Sequence, residues 1–131
     1  MQNKTIPTKP ISYSDKLMQL LTEVKSQISE ISIDEVFALK NNNEKFYLID
    51  VRDHDEYLAG NIENSIHISR GWLEFKIQNH VSEQDAKIIL YCGSGGRSAF
   101  AAQRLNQLGF KDVYSMKGGI KGWAQAGFDI I

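Results

Sequence analysis

The segment that most limits what this chain can fold into runs from Ile88 to Leu108. Four residues without a charge, Ile88, Ile89, Leu90 and Tyr91, are followed at once by the glycine-rich stretch Cys92 to Gly96. A helical stripe of Phe100, Ala101, Leu105 and Leu108 comes next and ends at Gly109. A short continuous apolar run suits a strand covered on both faces, and both faces are covered when parallel strands are joined by helices. Strand, tight loop and helix form the building unit of an α/β sheet, in which ligands bind beyond the carboxyl ends of the strands.

The rest of the chain repeats the alternation. Tyr47, Leu48, Ile49 and Val51 predict a buried strand, Ser65 to Ile68 a short one, and Val113, Tyr114 and Met116 a last one. Between them, Asp53 to Leu58 predicts a helical turn stopped by Gly60, and Leu73, Phe75 and Ile77 an irregular or helical crossover. Lys117, Gly118 and Gly119 turn the chain into a short helix around Trp123. Upstream, Leu17, Leu20, Leu21, Val24 and Ile28 share one face of a helix capped by Ser14 or Asp15. A second helix starts at Ser32, with Glu35 completing a capping box, and runs through Val36, Phe37 and Leu39 to the breaker Asn41, Asn42 and Asn43. The expected fold is α/β: a central parallel β-sheet of about five strands flanked by helices, with an extra N-terminal helix. Residues 1–12, which hold Pro7 and Pro10, are expected to be a loosely held arm, and residues 13–131 one domain.

A formal charge of -1 lacks the basic excess of a nucleic-acid binder. No apolar run approaches the roughly 18 residues of a membrane span, and the order of a signal peptide is missing, so the expectation is a cytoplasmic protein. With a single cysteine, no intrachain disulfide and no multi-thiolate zinc site can be built, and redox chemistry at Cys92 needs an outside thiol. His54, His67 and His80 lack metal-ligand spacing and sit in unrelated segments, so they are expected at the surface or in packing. No metal or organic cofactor is expected.

Three glycines after Cys92 let several backbone N–H groups turn into one concavity, and the following helix adds its positive end. Such a loop cradles anions. Out of context a lone cysteine reads as a small buried hydrophobe, but at the base of this cradle the amides, the helix and Arg97 should favour a thiolate nucleophile.

Four segments, Leu48–Arg52 (LIDVR), Glu56–Ile62 (EYLAGNI), Cys92–Ser98 (CGSGGRS) and Gly118–Trp123 (GGIKGW), resemble the landmarks of rhodanese domains, in order, over about residues 32–128. The resemblance implies a sulfurtransferase: a loop cysteine takes sulfur from a donor such as thiosulfate or a persulfide, holds it as a persulfide, and passes it to a thiol or cyanide. By position, Cys92 is the nucleophile, and Gly93, Ser94, Gly95, Gly96, Arg97 and Ser98 line the pocket. Four residues separate Cys92 from Arg97, as in sulfurtransferase loops, whereas related phosphatases place one more there. Asp50 and Arg52 are implied to be structural supports, with Arg52 pairing Glu56 or Asp55.

In the stretch Gly60 to Ser65, where some thiosulfate-using relatives place a cation, this chain has Asn61, Glu63 and Asn64. Glu63 is expected to repel a dianionic donor. Arg70, in the run Ser69 to Phe75, resembles a segment of one subset of relatives and could reach the pocket mouth, or be an ordinary solvated or salt-bridged arginine. Trp123 and Phe128 are expected to pack over the sheet edge. The partners implied are a small-molecule sulfur donor and a thiol acceptor, with a sulfur-accepting protein as a further option. Neither nucleic acid nor membrane is expected, and the chain is expected to be a monomer or weak homodimer. The alternatives are a non-catalytic partner-binding module and a phosphatase or arsenate reductase.

Overall fold

The structure is a computed structural model that describes residues 13–131, so the expected arm at 1–12 lies outside the described residues. Its helices are α1 (Asp15–Gln27), α2 (Ile33–Asn41), α3 (His54–Ala59), α4 (Leu73–Lys76), α5 (Gly96–Gln107) and α6 (Gly119–Gln125). Its strands are β1 (Ser29–Ile31), β2 (Tyr47–Asp50), β3 (Ile66–His67), β4 (Lys87–Tyr91) and β5 (Asp112–Met116). Short 3₁₀ turns at Arg70–Trp72 and Ile77–Asn79 flank α4. The strands form one five-stranded sheet in the order β1-β5-β4-β2-β3, every neighbouring pair parallel. This is the architecture predicted from the alternation of elements.

Strand β4 lies in the middle, paired with β2 and β5, and its residues Ile88 to Tyr91 are all buried. One face carries Ile49, Ile88, Leu90 and Val113, packed against Leu73 and Ile77 of the crossover and Ala101, Ala102 and Leu105 of α5. The other carries Leu48, Ile89, Tyr91 and Met116, packed against Val36, Ile120 and Trp123 of α2 and α6. Phe128 stacks on Phe37 with ring centroids 3.9 Å apart, so Trp123 and Phe128 do pack over the sheet.

Ser14 is the cap of α1, its Oγ accepting from the Leu17 N–H at 3.1 Å, and Ser32 caps α2 by accepting from the Glu35 N–H at 3.1 Å. Two predicted helix stripes are displaced from the true core face. Leu20 is 49% exposed, because α1 is bound to the rest of the fold through Leu17, Leu21 and Val24 and rests on α5, where Gln103 donates to Gln27 at 2.8 Å. Along α5 the buried positions are Ser98, Ala99, Ala101, Ala102 and Leu105, while Phe100 is only half-buried and Leu108 is exposed. Small residues allow the close approach of this helix to the sheet, so the largest side chains do not mark its inner face. Strand β1 is absent from the sequence reading: three residues at a sheet edge show no periodicity and are specified by pairing with β5. Among the described residues no helix is long and apolar enough to cross a membrane.

Candidate active site

Strand β4 delivers Cys92 to the carboxyl edge of the sheet, and the next residues fold back over its side chain before α5 begins. Cys92 is only 1% exposed. Its sulfur accepts the backbone N–H of Gly95 at 3.1 Å and of Ser98, in the first turn of α5, at 3.4 Å. Gly95, with φ 111°, occupies the left-handed region that lets its N–H turn inward.

The loop is held from behind by the start of α6. The N–H groups of Ile120 and Lys121 donate to the carbonyls of Cys92 and Gly93 at 2.9 and 3.1 Å. The contact depends on Gly119, which has φ 59° and whose Cα faces the loop so closely that a Cβ would stand 2.5 Å from the Gly93 carbonyl oxygen. Thus the Gly118–Trp123 motif acts on the cysteine loop through two backbone bonds.

Ser98 is fully buried, with Oγ 3.5 Å from Cys92 Sγ and 2.8 Å from Ser115 Oγ. Ser115, also fully buried, pairs in register with Leu90 across β5 and β4. Sequence reading missed it, although a serine in the apolar strand Val113 to Met116 was the available signal.

Arg97 does not contact the sulfur. Its guanidinium makes two bonds to the Glu56 carboxylate of α3, at 2.7 and 3.1 Å, and also stands over Gly93, where a Cβ would lie 3.3 Å from Nη2. Glu56 was expected to pair Arg52; instead it belongs to Arg97 and also accepts the Asp53 N–H at 3.2 Å. Hydrogen bonding from Arg97 holds the Glu56 carboxyl below the usual carboxylate range. A lowered carboxyl favours the ion pair above the ordinary carboxylate pKa, and its stabilisation fades as acid carries the pH down through the folded value. A carbon-detected NMR titration of Glu56 should therefore inflect below the usual value of about 4.3, and Arg97→Ala should raise that inflection. An unchanged inflection in the variant would remove Arg97 as the cause.

The buried pair beneath the site is Asp50 with Arg52. Arg52 donates from Nη2 to Asp50 at 2.8 Å and to the Gly60 carbonyl at 2.6 Å, so it ties the end of β2 to the end of α3 without Glu56 or Asp55. The separation is chemical: Asp50 lies on the arginine's own strand end and takes the short reach, leaving Glu56 free to cross to α5. Tyr91, the residue before the cysteine, accepts the Ile62 N–H at 3.1 Å and lies 3.0 Å from Ser65 Oγ; burial pushes its hydroxyl far above the ordinary tyrosine range.

Arg70 lines a cavity of about 300 Å³ with Arg97, Phe100, Gln103 and Arg104, while its Nη1 donates to Glu74 at 2.8 Å. It is both salt-bridged and a neighbour of the loop arginine. Glu63 is elsewhere: with Lys40, Asn43, Phe46 and Asn64 it lines a separate concavity that no residue of 92–98 enters, and its carbonyl accepts from Lys40 at 2.7 Å. The expected repulsion of a dianionic donor by Glu63 at the pocket mouth is therefore corrected, because the chain turns Glu63 toward the end of α2. The histidines are not all dispersed either. His54 and His67 come within 5.7 Å, with Tyr57 stacked on His67, and His67 Nε2 bonds to the Arg52 carbonyl at 2.8 Å. Among the described residues no cluster of His, Cys, Asp and Glu has the makings of a metal site.

The family model of the rhodanese-like domain matches residues 32–126. The chain is 34% identical over 102 residues to a Bacillus subtilis protein named as a candidate sulfur carrier, covering 78% of this chain and 54% of that protein, so it spans about half of that relative's length. A thiosulfate sulfurtransferase of Coxiella burnetii is 37% identical over 78 residues, 58% of this chain and 69% of the relative. A solved structure from Rhodopseudomonas palustris, of unknown function and described as a candidate tyrosine phosphatase, superposes with a TM-score of 0.81 and 30% identity over 94% of this chain and 99% of the other.

Proposed function

The chain belongs to the rhodanese-like family, and from that premise we propose that it is a sulfurtransferase that carries sulfane sulfur as a persulfide on Cys92. The observation that carries this reading is the convergence of the Gly95 and Ser98 amides on a buried Sγ. Donors aimed at a sulfur atom stabilise the negative charge of a thiolate before transfer and of the anionic persulfide after it.

In the first half-reaction the Cys92 thiolate attacks the outer sulfur of thiosulfate. A new S–S bond forms to Cys92, the donor's S–S bond breaks, and sulfite leaves with the bonding electron pair; the persulfide keeps one negative charge. With a persulfide donor the leaving group is a thiolate. In the second half-reaction the persulfide takes up a proton from water, an acceptor thiolate attacks its outer sulfur, the S–S bond to Cys92 breaks, and Cys92 departs as a thiolate. Residues 13–131 serve as one catalytic domain without a metal or organic group. A reducing compartment such as the cytoplasm suits a carrier whose sulfur leaves on an outside thiol.

A phosphatase reading has the description of the Rhodopseudomonas relative in its favour. Against it stands the loop, in which four residues separate Cys92 from Arg97, one fewer than in related phosphatases, and Arg97 makes its two bonds to Glu56 and none to the sulfur. A non-catalytic module would have no use for amides aimed at a buried sulfur. Incubation with thiosulfate or glutathione persulfide should add one sulfur atom to the intact mass, cyanide should remove it as thiocyanate, and an aryl phosphate should stay uncleaved. Failure of every donor to load Cys92, or turnover of the aryl phosphate alone, would defeat the proposal.

A further inference from the structure

We infer that the face formed by the Arg70–Trp72 turn, α4 and the outer side of α5 docks an acidic polypeptide segment whose cysteine is the sulfur acceptor. The inference rests on the sulfurtransferase reading above and assigns its acceptor class.

Three observations meet on this face. Trp72 and Phe75 are 56% and 78% exposed, and their rings pack edge to face at 6.1 Å, forming a small apolar knob that the fold itself does not use. Arg70, in the same turn as Trp72, walls a cavity of about 300 Å³ together with Arg97 and Arg104, three guanidinium-bearing residues in all. Lys76 stands 4.9 Å from the Trp72 ring centroid and adds a fourth cation. The carboxylates that face these cations are Glu74, shared by Arg70 at 2.8 Å and Arg104 at 4.0 Å, Glu56 on Arg97, and Asp53, whose charge also reaches Arg97. Four cations against three carboxylates leave a small positive excess in a protein whose formal charge is -1.

A small anion would need the guanidinium groups but not the aromatic knob. A polypeptide needs both, because exposed tryptophan and arginine supply most of the energy of protein contacts and charge complementarity sets the partner's sign. Arg97 joins this face to the cysteine loop, so a thiol arriving on a docked segment approaches the end of the site where sulfur is handed over. Its thiolate then takes the outer sulfur by the second half-reaction described above, leaving a peptide persulfide and the Cys92 thiolate.

The test uses the full chain, loaded with sulfur from thiosulfate, and three acceptors: cyanide, a short peptide with one cysteine among glutamates and leucines, and the same peptide with lysines for glutamates. The acidic peptide should be favoured over the basic one by about tenfold or more in kcat/KM, with the preference shrinking at high salt. The double substitution Trp72→Ala, Phe75→Ala should lower transfer to the acidic peptide by about tenfold and leave transfer to cyanide unchanged. Arg104→Glu should abolish the preference for the acidic peptide. Equal use of both peptides by the wild type, with normal cyanide turnover, would overturn the docking inference and leave the sulfurtransferase reading standing. No transfer to any acceptor would overturn that reading instead. Dimerisation seen by sedimentation and lost in the Trp72, Phe75 variant would assign the face to a second copy of this chain and overturn the inference.

Discussion

Replacing Cys92 by serine should lower sulfur transfer by roughly a thousandfold or more, to the uncatalysed background, while the protein unfolds at nearly the temperature of the wild type. The chemistry gives the first half of the expectation. An alkoxide is out of reach at neutral pH, and a serine oxygen that attacked sulfur would form an S–O bond with no easy route to an acceptor. The surroundings give the second half. The side chain is buried, but it sits among the N–H groups of Gly95 and Ser98 and the Ser98 hydroxyl, all of which can bond an oxygen. Serine is smaller than cysteine and leaves no unpaired polar group there. The measurements are cyanide-dependent thiocyanate release, intact mass after donor exposure, and a thermal melt. Sulfur loading of the serine variant would end the covalent proposal; a collapsed melt would show that Cys92 is first a packing residue.

Gly119→Ala should cut transfer by about a hundredfold, the scale expected when reacting groups move by roughly an ångström. At φ 59° an L side chain is strained, by about 1–2 kcal/mol. The added Cβ would also stand 2.5 Å from the Gly93 oxygen and 2.6 Å from the Cys92 oxygen. Both are backbone atoms of the loop, so the loop must move, and with it the bonds from Ile120 and Lys121 that orient its peptides. Gly127→Ala is the matched control. Gly127 has φ 86° with nothing within 4 Å of an added Cβ, so that variant carries the strain without the collision. Both variants should melt earlier, and only Gly119→Ala should lose activity beyond its loss of folded protein. Equal specific activities would mean that α6 does not position the loop.

What could be read from sequence and what could not divide along one physical line. Local patterns announced the strands β2, β4 and β5, a cap at Ser14 or Asp15 and one at Ser32, and the loop from Cys92 to Ser98, because each is written in consecutive residues with their own turn or burial chemistry. The expected faces miss at Leu20, Phe100 and Leu108, where helical spacing of apolar residues admits a large side chain at the margin of the stripe, while the packed face of α5 is lined by alanines that permit close approach. Glu56 meets Arg97 rather than Arg52, and Glu63 lies away from the cysteine loop, since a surface carboxylate has no pattern that tells where the fold will place it.

The sequence by itself determined the parallel α/β class, the place of Cys92 at a strand's carboxyl end, and the glycines that let the chain turn back on the sulfur, for these follow from backbone sterics and the period of apolar residues. Only the tertiary structure decided that Arg97 is held by Glu56, that Ser115 backs Ser98, that Gly119 braces the loop and that Arg70, Arg97 and Arg104 share one cavity. Each of these joins residues from different elements, and such contacts depend on strand order, register and helix placement, which no stretch of neighbouring residues encodes.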